Sequence, residues 1–532
     1  MFRKLLFILL VLAAIFAAAC DEVSYIPVEA AVPPESAPAP IATPAPQRFP
    51  DFGGTLYLTM RNPQTLNPLL NTDETVNRVL ALIFERLFVL NYELRPVPNP
   101  VIVQSYTLSA DARSLTIVMR DDIHWSDGTP MTAADVAFTI NFLRNNAPEN
   151  SIYRGNVVNI TSTNITGNSI RINLAQPSAA MGYMLMIPIV PASHYSGISP
   201  GHARQMRPLG NGPFVFESYA PGRELVFAAS PLTLRGPVYI QNVVARFTYS
   251  DDRDINAIAN GVADALHVSE PGWSRIGNRG RVRVAESLSR NFDFVGFNFD
   301  NPFLARREAR AAVAHAIPFN RILETVYLGE GRLAPTPVSP GSWLHDPTVH
   351  HPVFDLQRAA YYLAHALYGF GEHSIELSIL ANAESQERSR AAEMLSDNLR
   401  SLGLGINLYI LPGHEYLDRL NRGDFDIFFG GVHLCENPDV RFLLHSSTGT
   451  ANFMGYRSGT LDSFLTAAAT ARDGEAKILA YQNLQNYIAF EMPIIGLVFR
   501  TQALLVNSRV QGPIDGSGFF ANVEQWYIET RH

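Results

Sequence analysis

Between Asp51 and His532 the sequence changes hydrophobic period again and again, from alternation at every second residue to recurrence every three or four, with no fixed-length repeat. No other feature constrains the fold as much. The stretches "GGTLYLTM", "SLTIVMR", "SIRINLAQP", "GINLYIL" and "FDIFFGG" read as strands, and "FVFESY" and "ELVFAA" read as a hairpin turning at Gly222. "ETVNRVLALIFERLFVL" carries Val76, Val79, Leu80, Ile83, Leu87 and Leu90 at helical spacing. "RDINAIANGVADAL", "REARAAVAHAIPFNRILETVYLG", "DLQRAAYYLAHALYGF" and "SQERSRAAEMLSDNLRSLG" also read as helices, several closed by glycine. Strands and helices in this mixed order predict an α/β (mixed α+β) protein with helix-covered sheets.

At 532 residues the chain exceeds the roughly 250–300 at which one core stops growing, so two or more lobes are expected. Hydrophobic residues make up 47% of it, enough for large cores and too many for disorder. The net charge is -8, and no basic run occurs. That balance argues against nucleic acid and anionic lipid headgroups as partners.

The first twenty residues, "MFRKLLFILLVLAAIFAAAC", have the layout of a signal peptide: basic Arg3 and Lys4, an apolar stretch from Leu5 to Phe16, then small residues before Cys20. The apolar run is shorter than the ~20 residues of a membrane span. Ala17-Ala18-Ala19-Cys20 resembles a bacterial lipobox, in which the cysteine is lipidated, with Ala17 where that pattern usually has leucine. Cleavage after Ala-x-Ala without lipidation is the alternative. Residues 21–50 hold eight prolines and no periodicity, which predicts a semi-rigid spacer. Cys435 is the only other cysteine, so a lipidated Cys20 leaves it without an intrachain disulfide partner.

The stretch "DDIHWSDGTPMTAADVAFTINFL", Asp121 to Leu143, concentrates carboxylates, a histidine and a tryptophan. Turn and cap chemistry accounts for two of its acids: Asp127-Gly128 marks a turn, and Thr132 with Asp135 forms a capping-box start to a helix whose Val136, Ile140 and Leu143 share one face.

Across the mature chain the sequence resembles the family 5 extracellular solute-binding proteins, the peptide and nickel binding components of bacterial ABC importers. The resemblance is carried in order by "TLNPLLNTDETVNRVLALIFERLFVL", "LSADARSLTIVMRDDIHWSDGTPMTAADVAFTINFL", "LGNGPFVFESYAPGRELVF", "FVGFNFDNPFLARREARAAVAHAIPFNRILETVYLGEG", "YLDRLNRGDFDIFFGG" and "YQNLQNYIAFEMPIIGL". It implies a two-lobed periplasmic binding protein of type II with a cleft between lobes. Residues 1–19 are then the leader and 20–50 the lipidated cysteine and linker. Residues 51–75, 195–288 and 498–532 form the first lobe, 76–194 an inserted subdomain and 289–497 the second lobe. Chain crossings are expected around Ser287–Phe294 and Phe490–Phe499. The partners implied are a small solute, with peptide the leading class, an ABC permease with its ATPase, and the membrane through the lipid; the chain is expected to act as a monomer without a cofactor.

The same resemblance locates a ligand site and shows a departure. Peptide-binding members place a tryptophan and an aspartate after the strand that here reads "DFDIFFGG", the aspartate anchoring the peptide's α-amino group. This chain reads "GGVHLCENPDVRFLL" there. Counting back from Phe442 puts the anchor at Cys435, and from Pro438 at Leu434; Val432 stands near the place of the tryptophan. Glu436 is the nearest acid, and a buried carboxylate needs a cation. His433, at the strand end, is a candidate for a ligand carboxylate or a chelated metal. Asn71, Thr72, Asp73 and Glu74 are further candidates, with a helix cap as the other reading of Asp73. Asn211 in "GNGPF", and Arg290 and Asn291 before "FDFVGFNF", complete the set; the glycines beside Asn211 fit backbone geometry.

Enzymatic motifs fare poorly. "GISPG" matches G-x-S-x-G, but Pro200 lacks the N–H that an oxyanion hole needs after the serine. His345, His350, His351 and His365 gather around a proline-rich stretch without the spacing of a helical metal site. A nickel chelate, an oligosaccharide or a surface hydrolase role stay open beside the peptide reading.

Overall fold

The computed structural model describes residues 52–148, 151–178, 180–269, 272–274, 280–369, 375–447, 449–472, 474–515 and 520–529. The leader, Cys20 and the proline-rich spacer lie outside the described residues.

Two strands organise the body. Val282–Phe297 and Ile494–Asn507 run antiparallel to each other, residues 282–288 opposite 501–507 and 292–296 opposite 494–499. They share one sheet, whose order among the described residues is 405–411, 376–382, 427–433, 282–297, 494–507, 265–268, 55–61, 242–248, 224–229 and 214–220, with the short strand Gly331–Leu333 also on 494–507. One end of the long pair therefore belongs to each half of the molecule. Their register slips between Leu288 and Phe292 and again between Asp293 and Phe294, within the segment expected to cross.

In the first half, Thr55–Arg61 buries every second residue (Leu56, Leu58, Met60) and lies parallel to Asn242–Thr248. A second, antiparallel sheet in the order 103–108, 114–119, 169–174, 160–166 carries the inserted region. Its strand Ser114–Met119 buries Leu115, Ile117 and Met119, and the helix Ala133–Asn145 packs Val136, Ile140 and Leu143 inward. One apolar core runs through both sheets, from Leu56 to Trp526. The Asp121–Leu143 corner is scaffold: Thr132 and Asp135 form the capping box, Asp135 also accepts from Ala192 N at 2.9 Å, and Asp127 accepts from Thr129 N at 2.9 Å.

In the second half both faces of the sheet are covered, and the strands alternate between two cores. Val295, Phe297, Ile427, Phe429 and Ile379 face helices that include Arg307–Ala316, Leu356–Leu367 and Gln386–Ser401. Phe292, Phe294, Phe428 and Leu380 face the other way, toward Gly413–Arg422, Gly459–Thr470 and Glu475–Glu491. Sheets buried on both faces read as near-continuous apolar runs, which "FDIFFGG" does.

Three helices differ from the periodicity. The helix expected through Leu90 covers only Glu74–Leu80, because the carbonyls of Leu82 and Ile83 are taken by Phe214 N (3.1 Å), Asn211 N (2.9 Å) and Gly212 N (2.7 Å). A β-carbon on Gly210 would lie 2.1 Å from Ile83 O, so that position accepts only glycine. "RDINAIANGVADAL" is helical over Asp251–Ala259, and its tail becomes the strand Ala265–Val268, which finds its partners far away in sequence. The long segment from Arg307 breaks at Pro318 into Arg307–Ala316 and Phe319–Thr325.

Candidate functional site

Among the described residues, hydrogen bonds and ion pairs join the two halves at three places. Trp343, from the second, donates its backbone N–H to Glu93 O at 2.9 Å and its indole N–H to the Tyr183 hydroxyl at 3.2 Å. The Arg95 guanidinium lies 4.8 Å from the Trp343 ring centre. Glu330, which precedes the strand Gly331–Leu333, accepts from Gly272 N at 2.6 Å and Ser274 N at 3.2 Å. The third contact is ionic, and it borders a cavity.

That cavity holds about 130 Å³. Its walls come from the first half (Glu74, Leu90, Leu94, Tyr183), from the long strands (Leu288, Ser289, Arg290, Phe499, Gln502) and from the second half (Pro337, Ser339, Ser342 and the run His433–Pro438 with Val440). The Glu436 carboxylate stands between two arginines, one of its oxygens 3.8 Å from Arg86 Nη1 and 3.6 Å from Arg290 Nη1. Arg86 belongs to the first half, Arg290 to a crossing strand and Glu436 to the second half. The charge cluster thus spans the whole junction. Burial disfavours the charged form of Arg86, but Tyr153 and Glu436 outweigh it and hold the guanidinium pKa above its ordinary value. Burial also pushes the Tyr153 phenol up.

Of the residues singled out in the sequence, Glu74, Arg290, His433, Cys435 and Glu436 line this cavity. His433 Nδ1 lies 2.8 Å from Asn291 Oδ1, a contact in which the ring nitrogen donates to the amide oxygen. Partial desolvation, and then Arg290, pull the His433 pKa down. Loss of solvent raises the Cys435 thiol. Glu74 is engaged by Arg78 at 2.6 Å.

Five other candidates sit elsewhere. Asp73 caps its helix, accepting from Thr75 N at 2.8 Å and Val76 N at 3.1 Å. Asn71 is buried and donates to Asp73 O at 2.7 Å, and Thr72 is exposed; neither lines the cavity. Asn211 is buried in the first half, where its side-chain oxygen accepts from Glu85 N at 3.1 Å. Val432 faces a separate hollow with Arg388, Tyr416 and Phe453, because adjacent strand residues point to opposite faces. Glu436 is no free anchor for an ammonium, since two guanidinium groups already flank it.

Arg86, Tyr183 and Trp343 escaped the sequence reading. Arg86 lay inside a segment read as helix, and a lone cation in an apolar run was the one available signal. Behind the cavity lies a buried cluster also missed: Asp293, only 1% exposed, accepts from Arg500 Nε at 2.7 Å, Arg388 Nη1 at 3.1 Å and the Tyr327 hydroxyl at 2.9 Å.

Ser199 of "GISPG" follows no strand; its carbonyl accepts from His202 N and Gln205 Nε2, both at 3.1 Å. His351 donates from Nε2 to Gly496 O at 2.8 Å. Among the described residues no three His, Cys, Asp or Glu side chains are grouped to hold a metal ion, and no helix is long and apolar enough to cross a membrane.

A mixed sheet shared by two halves through paired crossing strands, with a cavity at their junction, defines a two-lobed binding protein. The chain belongs to the bacterial extracellular solute-binding proteins, family 5, whose middle-region model matches residues 97–454. It is 19% identical over 517 residues to the oligopeptide-binding protein AppA of Bacillus subtilis (strain 168), covering 90% of this chain and 92% of that one. Among solved structures it resembles the ABC transporter substrate-binding protein CtaP of Listeria monocytogenes, with a TM-score of 0.77 at 20% identity, over 90% of this chain and 100% of that one. NikZ of Campylobacter jejuni, solved with Ni(L-His), gives a TM-score of 0.68 at 22% identity, over 89% and 99%.

Proposed function

We propose that this protein is the solute-capturing component of an ABC importer, closing its lobes on a small peptide or peptide-like guest and handing it unaltered to a membrane permease and its ATPase. One observation carries the reading: the cavity's walls are contributed jointly by both halves and by the strands that join them, so it exists only while the halves are together. Closure of this kind is a population shift driven by the guest's preference for the closed form. The related AppA is named for oligopeptides and NikZ was solved with Ni(L-His), so cargo varies across the fold. Peptide is the leading class here, a nickel chelate or oligosaccharide the alternatives. Cys435 and His433 both line the cavity and His433 pairs with Asn291, but among the described residues no hydrogen bond joins the thiol to the imidazole, and the family is one of solute-binding proteins, which supports binding without turnover.

In this reading Cys20 carries the lipid, residues 21–50 extend the body from the cell membrane as a monomer, and the lobe boundaries follow the division given above. The test is a thermal-shift and small-angle scattering screen of the purified protein against peptides, nickel-histidine and oligosaccharides. A guest at 100 times its Kd adds about 2.7 kcal/mol of stability and reduces the radius of gyration. Turnover of a guest, or binding with no change of shape in an open starting state, refutes the proposal.

A further inference from the structure

We infer that the cleft grips its guest by a carboxylate, received by Arg86 and Arg290, and that Glu436 is the internal stand-in for that group. The inference rests on the solute-binding reading and names the chemistry of the cargo.

Charge is the starting point. At the junction Arg86 and Arg290 converge on a single oxygen of Glu436, at 3.8 and 3.6 Å, both beyond hydrogen-bond length. Arg86 gives one N–H to the Tyr153 hydroxyl at 3.4 Å, and a guanidinium has five donors. The other nearby acids are engaged: Glu74 by Arg78, Glu85, which also acts on Arg86, by Arg235 at 2.6 Å, and Asp439 by Arg441 at 2.6 Å. The Arg86–Glu436–Arg290 group therefore holds one positive charge in excess. An entering ammonium would meet a carboxylate already flanked by two cations. An entering carboxylate would neutralise the excess and draw the planar, charge-assisted contacts that guanidinium groups make best.

Size and sign narrow the class. At ~30 Å³ per water the cavity has room for roughly four waters or one terminal residue of a guest, and Leu94, Leu288 and Phe499 supply an apolar wall for its stem. A single excess charge matches a monoanion better than a doubly charged phosphate. Because Arg86 and Glu436 come from opposite halves, Glu436 holds the lobes together by the same contact that a guest's carboxylate would make, and gives way when one arrives.

The test uses matched di- and tripeptides as free acids, C-terminal amides and N-acetyl derivatives, with inorganic phosphate as a further arm, by titration calorimetry on the purified protein. Amidation should weaken binding by about 30-fold, as expected for losing a charge-assisted hydrogen bond, while N-acetylation should leave it within a few fold. Glu436→Gln should bind the acids more tightly. Arg290→Gln should erase the difference between acid and amide, and Arg290→Lys should restore part of it, with melting curves checking that each variant folds. Amides binding as well as acids, loss on N-acetylation alone, weaker acid binding by Glu436→Gln, or phosphate outcompeting the acids each overturns the inference. If no form binds, the inference fails, while the importer reading is judged separately by lobe closure in a crude solute extract.

Discussion

Replacing Asp293 by asparagine should cost more than any other single change on the crossing strands. The carboxylate is 1% exposed and meets Arg500, Arg388 and the Tyr327 hydroxyl at 2.7, 3.1 and 2.9 Å. Among the described residues Glu387, 3.5 Å from Arg500, is the only other acid in the cluster's ion pairs, so two acids balance two arginines. Asparagine keeps the shape and one acceptor but leaves a positive charge uncompensated in a buried place. Removing one partner of a buried ion pair costs about 3–5 kcal/mol, which for a lobe of this size lowers its melting temperature by about 6–20 °C. Gly431 gives a graded control: a β-carbon there would lie 1.9 Å from Arg388 Nη1 and 2.5 Å from Asp293 Oδ1. Both are side-chain ends that can shift, so Gly431→Ala should cost less, about 1–3 kcal/mol. Calorimetric melting measures both. An Asp293→Asn loss below about 1 kcal/mol, the scale of a surface pair, would refute the claim that this cluster braces the second lobe.

Three further outcomes follow. Gly210→Ala should destabilise the first lobe by at least about 1–3 kcal/mol, read by urea unfolding, because the new carbon meets the fixed Ile83 carbonyl rather than a movable side chain. Burial holds His351 down at about 4, against its ordinary 6.5. The unfolded chain therefore takes up a proton first as pH falls below 6.5, and the neutral histidine's contribution, roughly 3 kcal/mol, is lost progressively down to about pH 4. The stability difference between wild type and His351→Gln across that window checks this, and a constant difference would contradict it. Trp343→Ala removes a cation–π contact and an indole hydrogen bond across the junction, about 2 kcal/mol together or roughly a 30-fold shift toward the open form; scattering should show a larger radius, and an unchanged one would mean the other contacts suffice.

What the sequence made legible was local. Thr132 and Asp135 lie three residues apart and their capping box forms; "FVFESY" and "ELVFAA" pair as written; the apolar run Ile427–Gly430 is a strand segment buried on both faces. The family pattern placed the end of that strand at the site, and Arg290, His433, Cys435 and Glu436 do line one cavity. What stayed hidden depends on contacts between distant residues. The helix from Glu74 stops early because Asn211, Gly212 and Phe214 claim its next carbonyls, and Asp293 finds Arg500 across 207 positions. No periodicity encodes either. Arg86 was concealed for the same reason: with the helix drawn ten residues too long, nothing assigned its side chain to the junction.

The unbroken sheet that passes through both lobes sets the mechanics of opening. Separate linkers would let the halves swing like a door on pins, but Val282–Phe297 and Ile494–Asn507 are bonded to each other along most of their length. They must flex together, like a leaf spring thinned at one point, and that point is the slipped stretch between Leu288 and Phe292. Ser289 and Arg290 sit there and also line the cavity. A guest resting on those residues would touch the spring where it bends, so filling the cleft and stiffening the pivot become one event.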